Sequence, residues 1–230
     1  MIPLILILLS STAHAASGFH LEVLEITGEA QYGPSFGDTR PLAKGNLIPH
    51  GYVVNVPDGS SVDLVFDPEW KNLMRITGPA SITVHSVFPT EIQLEYGDVY
   101  SILPSLPRYT YHEIRTPFGV ATVHGSEYRV VHRQMTTVSN FSASPVFVFG
   151  KKADLELFRN PLILKDNRIV RIEGFGILPS DDTLMNKNEL ASGLKLRAMM
   201  KQQAETAAGS SRTGKTDALI RDKAVCSLCS

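Results

Sequence analysis

The chain has 230 residues, 43% of them hydrophobic and 20% charged, enough for one large domain or for a domain with an appendage that buries its own core. A formal net charge of -1 argues against a general nucleic-acid binder, whose domain carries a strong positive excess, so no nucleic-acid partner is expected. Both of the two cysteines lie in the last five residues, so no disulfide can staple the body of the chain.

Ile2 to Leu9 is an apolar run, and Ala13-His14-Ala15 after it has the small-x-small form of a signal-peptidase site. The run falls far short of the roughly 20 apolar residues that a spanning helix needs. Residues 1–15 are therefore expected to be a cleaved signal peptide and not a membrane span; the alternative is a buried N-terminal strand. No cysteine follows the run, which removes the simplest lipid anchor. No Lys or Arg precedes Leu4, so the true start is expected slightly upstream of Met1. The implied location is periplasmic or secreted.

Residues 19–178 read as one β domain of short strands separated by Gly, Pro and Asp turns. Val62, Leu64 and Phe66 alternate with polar or opposite-face positions in Ser61–Phe66, and Ile82 and Val84 repeat the pattern. Further strands are predicted at Ile92–Tyr96, Val99–Leu103, Glu127–Arg133, Met135–Phe141 and Val146–Phe149. Turns are predicted at Pro57-Asp58-Gly59 and Tyr96-Gly97-Asp98. Strands recurring roughly every 10 residues without intervening helices give an all-β fold, a sandwich, a barrel or a β-solenoid. Leu42–Gly45, Ile48–Gly51 and Ile76–Pro79 pair apolar with small turn residues as if at the corners of stacked coils, which favours solenoid character.

Beyond Pro179 the composition shifts. Ser180-Asp181-Asp182 can cap a helix, and a helix is predicted over 180–208, followed by a flexible tail over 209–230. Leu190 and Leu194 share a face while Leu196, Met199 and Met200 project elsewhere, so no strong apolar stripe is expected. Lys187 to Lys223 carries eight basic and four acidic residues, read as a solvated segment or as a dock for an anionic partner. Gly209–Thr216 fits the written pattern of a phosphate-cradling loop but has neither the delivering strand nor the receiving fold, so no cofactor is expected there. Cys226 and Cys229 form a candidate disulfide, within or between chains, with a half metal site as the alternative; no metal is expected.

His112, His124 and Glu127 are the candidates for acid/base work. On an extended strand the three-residue spacing of His124 and Glu127 puts them on opposite faces, so a catalytic group is not expected and the protein is read as a non-enzyme.

Arg115-Thr-Pro-Phe-Gly-Val-Ala-Thr-Val-His-Gly-Ser-Glu-Tyr-Arg-Val130 resembles the "R-T-P-x-x-x-A-x-V-R-G-T-E-F-x-V" signature of the FecR domain. Gly28–Tyr32, Leu42–Gly45, Val56–Phe66 and Ile92–Tyr100 resemble, in order, that family's opening strand, its "L-x-x-G" corner, its "DGS" hairpin and its "L-x-x-G-x-V" strand pair. The resemblance covers about 22–150. It implies structural roles for Arg115, Thr116, Pro117, Gly119, Gly125, Ser126 and Glu127: chain breaks at Pro117 and Gly119, inward-facing Ala121 and Val123, a tight corner at Gly125. Glu127 is read as a carboxylate accepting backbone donors at that corner. His124 and Ser126 stand where the family often has Arg and Thr.

The namesake proteins relay a signal from an outer-membrane iron transporter to a cytoplasmic sigma factor, through a cytoplasmic segment and a membrane span. The resemblance here is to the periplasmic part alone. It implies an exported module that binds a protein partner in envelope sensing, signalling or scaffolding, with the tail expected to be separable from the β domain and to serve assembly or partner capture. The second reading is a carbohydrate or cell-wall peptidoglycan binder, with Trp70, Tyr96, Tyr100, Tyr109 and Tyr111 as candidate platform residues.

Overall fold

The computed structural model describes residues 20–104, 106–176 and 182–226, with side chains up to 209. The expected signal peptide and Cys229 lie outside them. The first strands are β1 Glu22–Thr27, β2 Gln31–Ser35, β3 Asp38–Pro41, β4 Val53–Val56 and β5 Ser61–Val65. Two long strands follow, β6 Leu73–Val87 and β7 Thr90–Ile102, and then β8 His112–Arg115, β9 Gly119–Val123 and β10 Glu127–His132. The chain continues through β11 Thr136–Asn140, β12 Val146–Gly150, β13 Leu162–Leu164, β14 Arg168–Ile172 and β15 Thr183–Leu184 to one helix, α1 Lys187–Cys226. The protein is all-β with a C-terminal helix, a single large sheet that is not closed.

The hairpin of β6 and β7 is the spine, and each of its strands gives its two halves to different neighbours. Leu73–Thr77 of β6 pairs with β5, whereas Ala80–Thr83 pairs with β4. Thr90–Gln93 of β7 pairs parallel with β8, whereas Gly97–Ile102 pairs antiparallel with β10. One layer is thus β3-β2-β4, the hairpin's turn half, then β8-β9-β12-β13; the other is β1-β5, its open half, then β10-β11-β14-β15. The layers close over one core in which Ile76, Ile82, Ile92, Leu94, Val130 and Val148 are fully buried, each large aliphatic contributing roughly 1.5–3 kcal/mol. Asn140 and Thr116 sew the layers together, Asn140 Nδ2 donating to Leu164 O (2.9 Å) and Thr116 Oγ1 meeting Thr136 Oγ1 (2.8 Å).

The hairpin changes layer where Gly78, Pro79 and Ala80 of β6 are set against Gly97 of β7. Gly97 has φ +121°, and a Cβ there would stand 2.3 Å from the Ala80 Cβ. At Gly78 a Cβ would stand 1.8 Å from the Pro57 carbonyl oxygen. Only glycine fits either position.

Several sequence expectations change in this light. Neighbouring strands pair antiparallel except β7 with β8, so they do not stack as the parallel coils of a solenoid do. Tyr96-Gly97-Asp98 is a bend inside one continuous strand rather than a turn between two. Pro57-Asp58-Gly59-Ser60 is no hairpin, because β4 and β5 pair with different halves of β6 and the segment carries the chain from one layer to the other.

α1 begins later than predicted. Asn186 caps it, with Oδ1 accepting from the N–H groups of Asn188 (3.0 Å) and Glu189 (2.9 Å) while Glu189 Oε2 accepts from Asn186 N–H (2.9 Å), a reciprocal capping box. Of the cap predicted at 180–182, Ser180 and Asp181 are outside the described residues, and Asp182 pairs with Arg168. The helix crosses the outer face of the second layer from β11 to β1: Gly193 against Phe141, Arg197 on β10, Met200 and Ala204 over β6 and β7, Gln203 over Arg75, Thr206 and Ala207 beside β1. It covers a second small core of Leu24, Val65, Leu73, Tyr100, Ile102 and Phe141.

The first half of α1 therefore belongs to the β domain's packing, and removing Met185–Ser230 would bare that core. The segment 209–226, read as a loose tail, is helical. The phosphate-loop pattern at Gly209–Thr216 lies wholly inside it, where no loop forms.

A Gly97→Ala variant is expected to lose about 3 kcal/mol, from the left-handed backbone and the clash with Ala80 together, read as a lower urea midpoint.

Candidate functional site

The signature stretch occupies the end of β8, the β8–β9 turn, β9, a corner at Gly125 and most of β10. In the turn, Thr116 N–H donates to Gly119 O (2.8 Å), Gly119 N–H donates to Thr116 Oγ1 (3.1 Å), and Lys151 Nζ donates to Thr116 O (2.6 Å). Phe118, next to Pro117, packs edge-on against His132 and Phe175. At Gly119 a Cβ would lie 2.7 Å from both Ile172 Cδ1 and Phe149 O, so the turn is wedged between the layers. Ala121 and Val123 face the core. Arg115 stays at the surface, 42% exposed, paired with Glu113 (2.5 Å) and Glu91 (3.2 Å). Such pairs contribute about 1 kcal/mol or less.

The corner carries the chain from β9 in one layer to β10 in the other. Gly125 has φ +146°, a conformation that a side chain would strain. Ser126 seals it: its carbonyl accepts from Leu103 N–H (2.9 Å) and its hydroxyl meets Ser142 Oγ (2.8 Å) and Ser144 O (3.1 Å).

Glu127 and Tyr128 point to opposite faces of β10. Tyr128 enters the main core, while Glu127 faces α1 with its side chain 9% exposed. Its carboxylate accepts from Arg197 Nε (2.5 Å) and from the Tyr100 hydroxyl, and Arg197 Nη2 goes on to Phe141 O (2.9 Å). This corrects the sequence reading: the donors to the carboxylate are side chains of β7 and α1, not backbone groups of the corner. Burial, and then the neighbouring carboxylate, hold the Tyr100 hydroxyl far above its ordinary pKa, and the hydrogen bond that Arg197 donates to Glu127 raises that of Arg197.

Beside this junction runs a cross-strand row, Glu25–Asp63–Arg75–Tyr100–Arg129. Arg75 and Asp63 form a buried two-pronged pair (2.6 and 2.5 Å), and Arg75 Nη2 also donates to Gln203 of α1 (2.6 Å). Burial raises the Asp63 pKa against the pull of Arg75. Arg129 pairs with Asp98 in the same way. The face under α1 is thus a charged row alongside an apolar one. Arg197, Gln203 and Gly193 escaped the sequence reading; their spacing, with Met200 and Ala204, marks one helix face, but a face of Gly, Arg, Met, Gln and Ala carries no apolar stripe.

The three acid/base candidates do not come together. His112 is fully buried in the main core with Nδ1 on the Tyr128 hydroxyl (2.7 Å), Glu127 is on the outer face of the other layer, and exposed His124 holds the Thr110 carbonyl (3.1 Å). Among the described residues no cluster of three His, Cys, Asp or Glu could hold a metal, and no helix is long and apolar enough to cross a membrane. The aromatic candidates are dispersed too: Tyr100 is buried, Tyr96 and Tyr109 are exposed, Tyr111 holds Glu91, and Trp70 is half-buried beside α1.

No family model matches the chain, and no curated protein matches it. Among solved structures it is similar to two crystal structures, at 1.65 and 2.50 Å, of a "putative anti-sigma factor" from Parabacteroides distasonis ATCC 8503. Identities are 11% and 12%, each with a TM-score of 0.47 over 62% of this chain. The chain spans 64% and 63% of their lengths, less than two thirds.

Burial lowers the His112 pKa from 6.5 to about 3, so the folded state keeps the ring neutral where the unfolded chain would protonate it. The stabilisation is complete above pH 6.5 and is lost as pH falls toward 3, on the order of 5 kcal/mol at most. In His112→Gln, the acid limb of unfolding free energy against pH is expected to be shallower by up to one proton than in the parent.

Proposed function

We propose that the chain is an exported, non-catalytic module of the cell envelope that binds a protein partner in sensing, signalling or scaffolding, with the outer part of α1 as its contact element. The observation that carries this reading is the length of α1. The helix reaches β1, the edge strand of its layer, at Thr206 and Ala207, yet continues for the eighteen residues Gly209–Cys226, about 27 Å at 1.5 Å per residue. A helix serving only to cover the second core would end near Ala208. The basic excess between Lys187 and Lys223 favours an acidic partner surface. Cys226, at the end of the helix, and Cys229 could link chains in an oxidising compartment.

The signature residues serve architecture: Thr116 and Gly119 close a turn, Gly125 and Ser126 a corner, and Glu127 the helix junction. Export rests on the apolar run and the Ala13-His14-Ala15 site, and the module class on the resemblance to the FecR domain.

Removing Gly209–Ser230, rather than the whole of α1, isolates this role. The truncated protein is expected to keep the thermal midpoint of the parent while losing a co-purifying partner or a larger mass in light scattering. An unchanged midpoint together with an unchanged partner set and mass would contradict the proposal.

A further inference from the structure

Alongside α1, on the β1 side, lies an open groove of about 880 Å3, within the range of small-ligand sites. One wall is Glu22, Glu25 and Thr27 of β1; the other is Gln202 and Thr206 of α1; Trp70 closes it. Trp70 sits in a turn that Asp67 builds, with Asp67 Oδ1 accepting from Glu69 N–H (3.0 Å) and Lys71 N–H (3.2 Å), and Oδ2 from Asn72 N–H (2.7 Å). At Trp70 the backbone is left-handed, φ 55°, a conformation costly for a bulky side chain and sustained here by those three bonds. The chain bears that strain while setting its sole tryptophan at the groove.

Glu25 already holds Lys44 Nζ (2.9 Å), so a cationic peptide would find no pair of open carboxylates, only that of Glu22, which itself lies 3.2 Å from His20 Nε2. Strand addition to β1 is blocked along its first half, where Val23 N–H donates to Asn46 O (2.9 Å) and Gly45 N–H to Val23 O (2.8 Å). What the groove offers is an indole between walls that mix acceptors and donors, namely carboxylates, hydroxyls and an amide. Sugar hydroxyls, which donate and accept at once, match such walls, and the C–H face of a pyranose matches the indole.

We propose that this groove is a binding site for a neutral oligosaccharide. The site is independent of the protein-partner role, because all of its residues precede Gly209. Trp70 is the sole tryptophan, so its fluorescence reports on this groove and on the smaller one that it lines with Leu73, Ile102 and Ala208, and the Gln202 and Thr206 variants, which touch only the first, tell the two apart. Titration of the full chain with cellotetraose or an N-acetylglucosamine tetramer is expected to change that emission saturably with at least one of them. The protein lacking Gly209–Ser230 is expected to bind equally well. Replacing the exposed Gln202 and Thr206 together by Ala is expected to weaken binding about tenfold with thermal unfolding unchanged. The proposal is overturned if neither sugar gives a saturable change, if the double variant binds as the parent does, or if a Lys-rich tetrapeptide gives an equal or stronger response than both sugars.

Discussion

The architecture depends on one constraint, the passage of the β6–β7 hairpin from one layer to the other. Two long paired strands cannot bend together unless the backbones approach closely at the bend, and Gly97 lies against Ala80 there, with Gly78 against the Pro57 carbonyl. Every other pairing takes its place from this. β4 and β8 attach to one half of the hairpin, β5 and β10 to the other, so the segments linking β4 to β5 and β9 to β10 must themselves cross between layers. Pro57–Ser60 and Gly125–Ser126 are those crossings, and each contains a glycine at positive φ.

The second crossing delivers Glu127 to the outer face. The carboxylate is nearly buried, so it needs donors, and Tyr100 and Arg197 supply them. Gly193 lets the helix approach the Phe141 ring, and Gln203 reaches the Arg75–Asp63 pair. α1 is thus registered on the sheet by polar contacts at known positions, with Met200 and Ala204 filling between them, rather than by a broad apolar stripe. The last of these contacts lie at β1, and the groove at Trp70 opens at the same place.

Much of this was legible in the sequence. Alternation in Ser61–Phe66 placed Val62 and Leu64 in the core, and the glycines at 97, 119 and 125 marked places where the chain must turn or approach closely. What they could not tell is which kind of bend each makes. Gly97 reads equally as a turn or as a bulge within a strand, and only the pairing of β6 on the other side decides it. The role of Glu127 was read as local because its partner Arg197 lies 70 residues away. The helix boundary was misplaced because Ser180-Asp181-Asp182 and Asn186 offer similar capping chemistry. The helix's docking face was illegible because its members are small or polar.

The account stands most directly on the claim that Glu127 and Arg197 join the signature stretch to α1. A double-mutant cycle in urea unfolding measures this, with Glu127→Gln, Arg197→Ala and the double variant. The two changes are predicted to be strongly non-additive, with a coupling energy of about 2 kcal/mol, the second costing little once the first is made. Additive losses, with coupling near zero, would contradict the junction and with it the placement of α1.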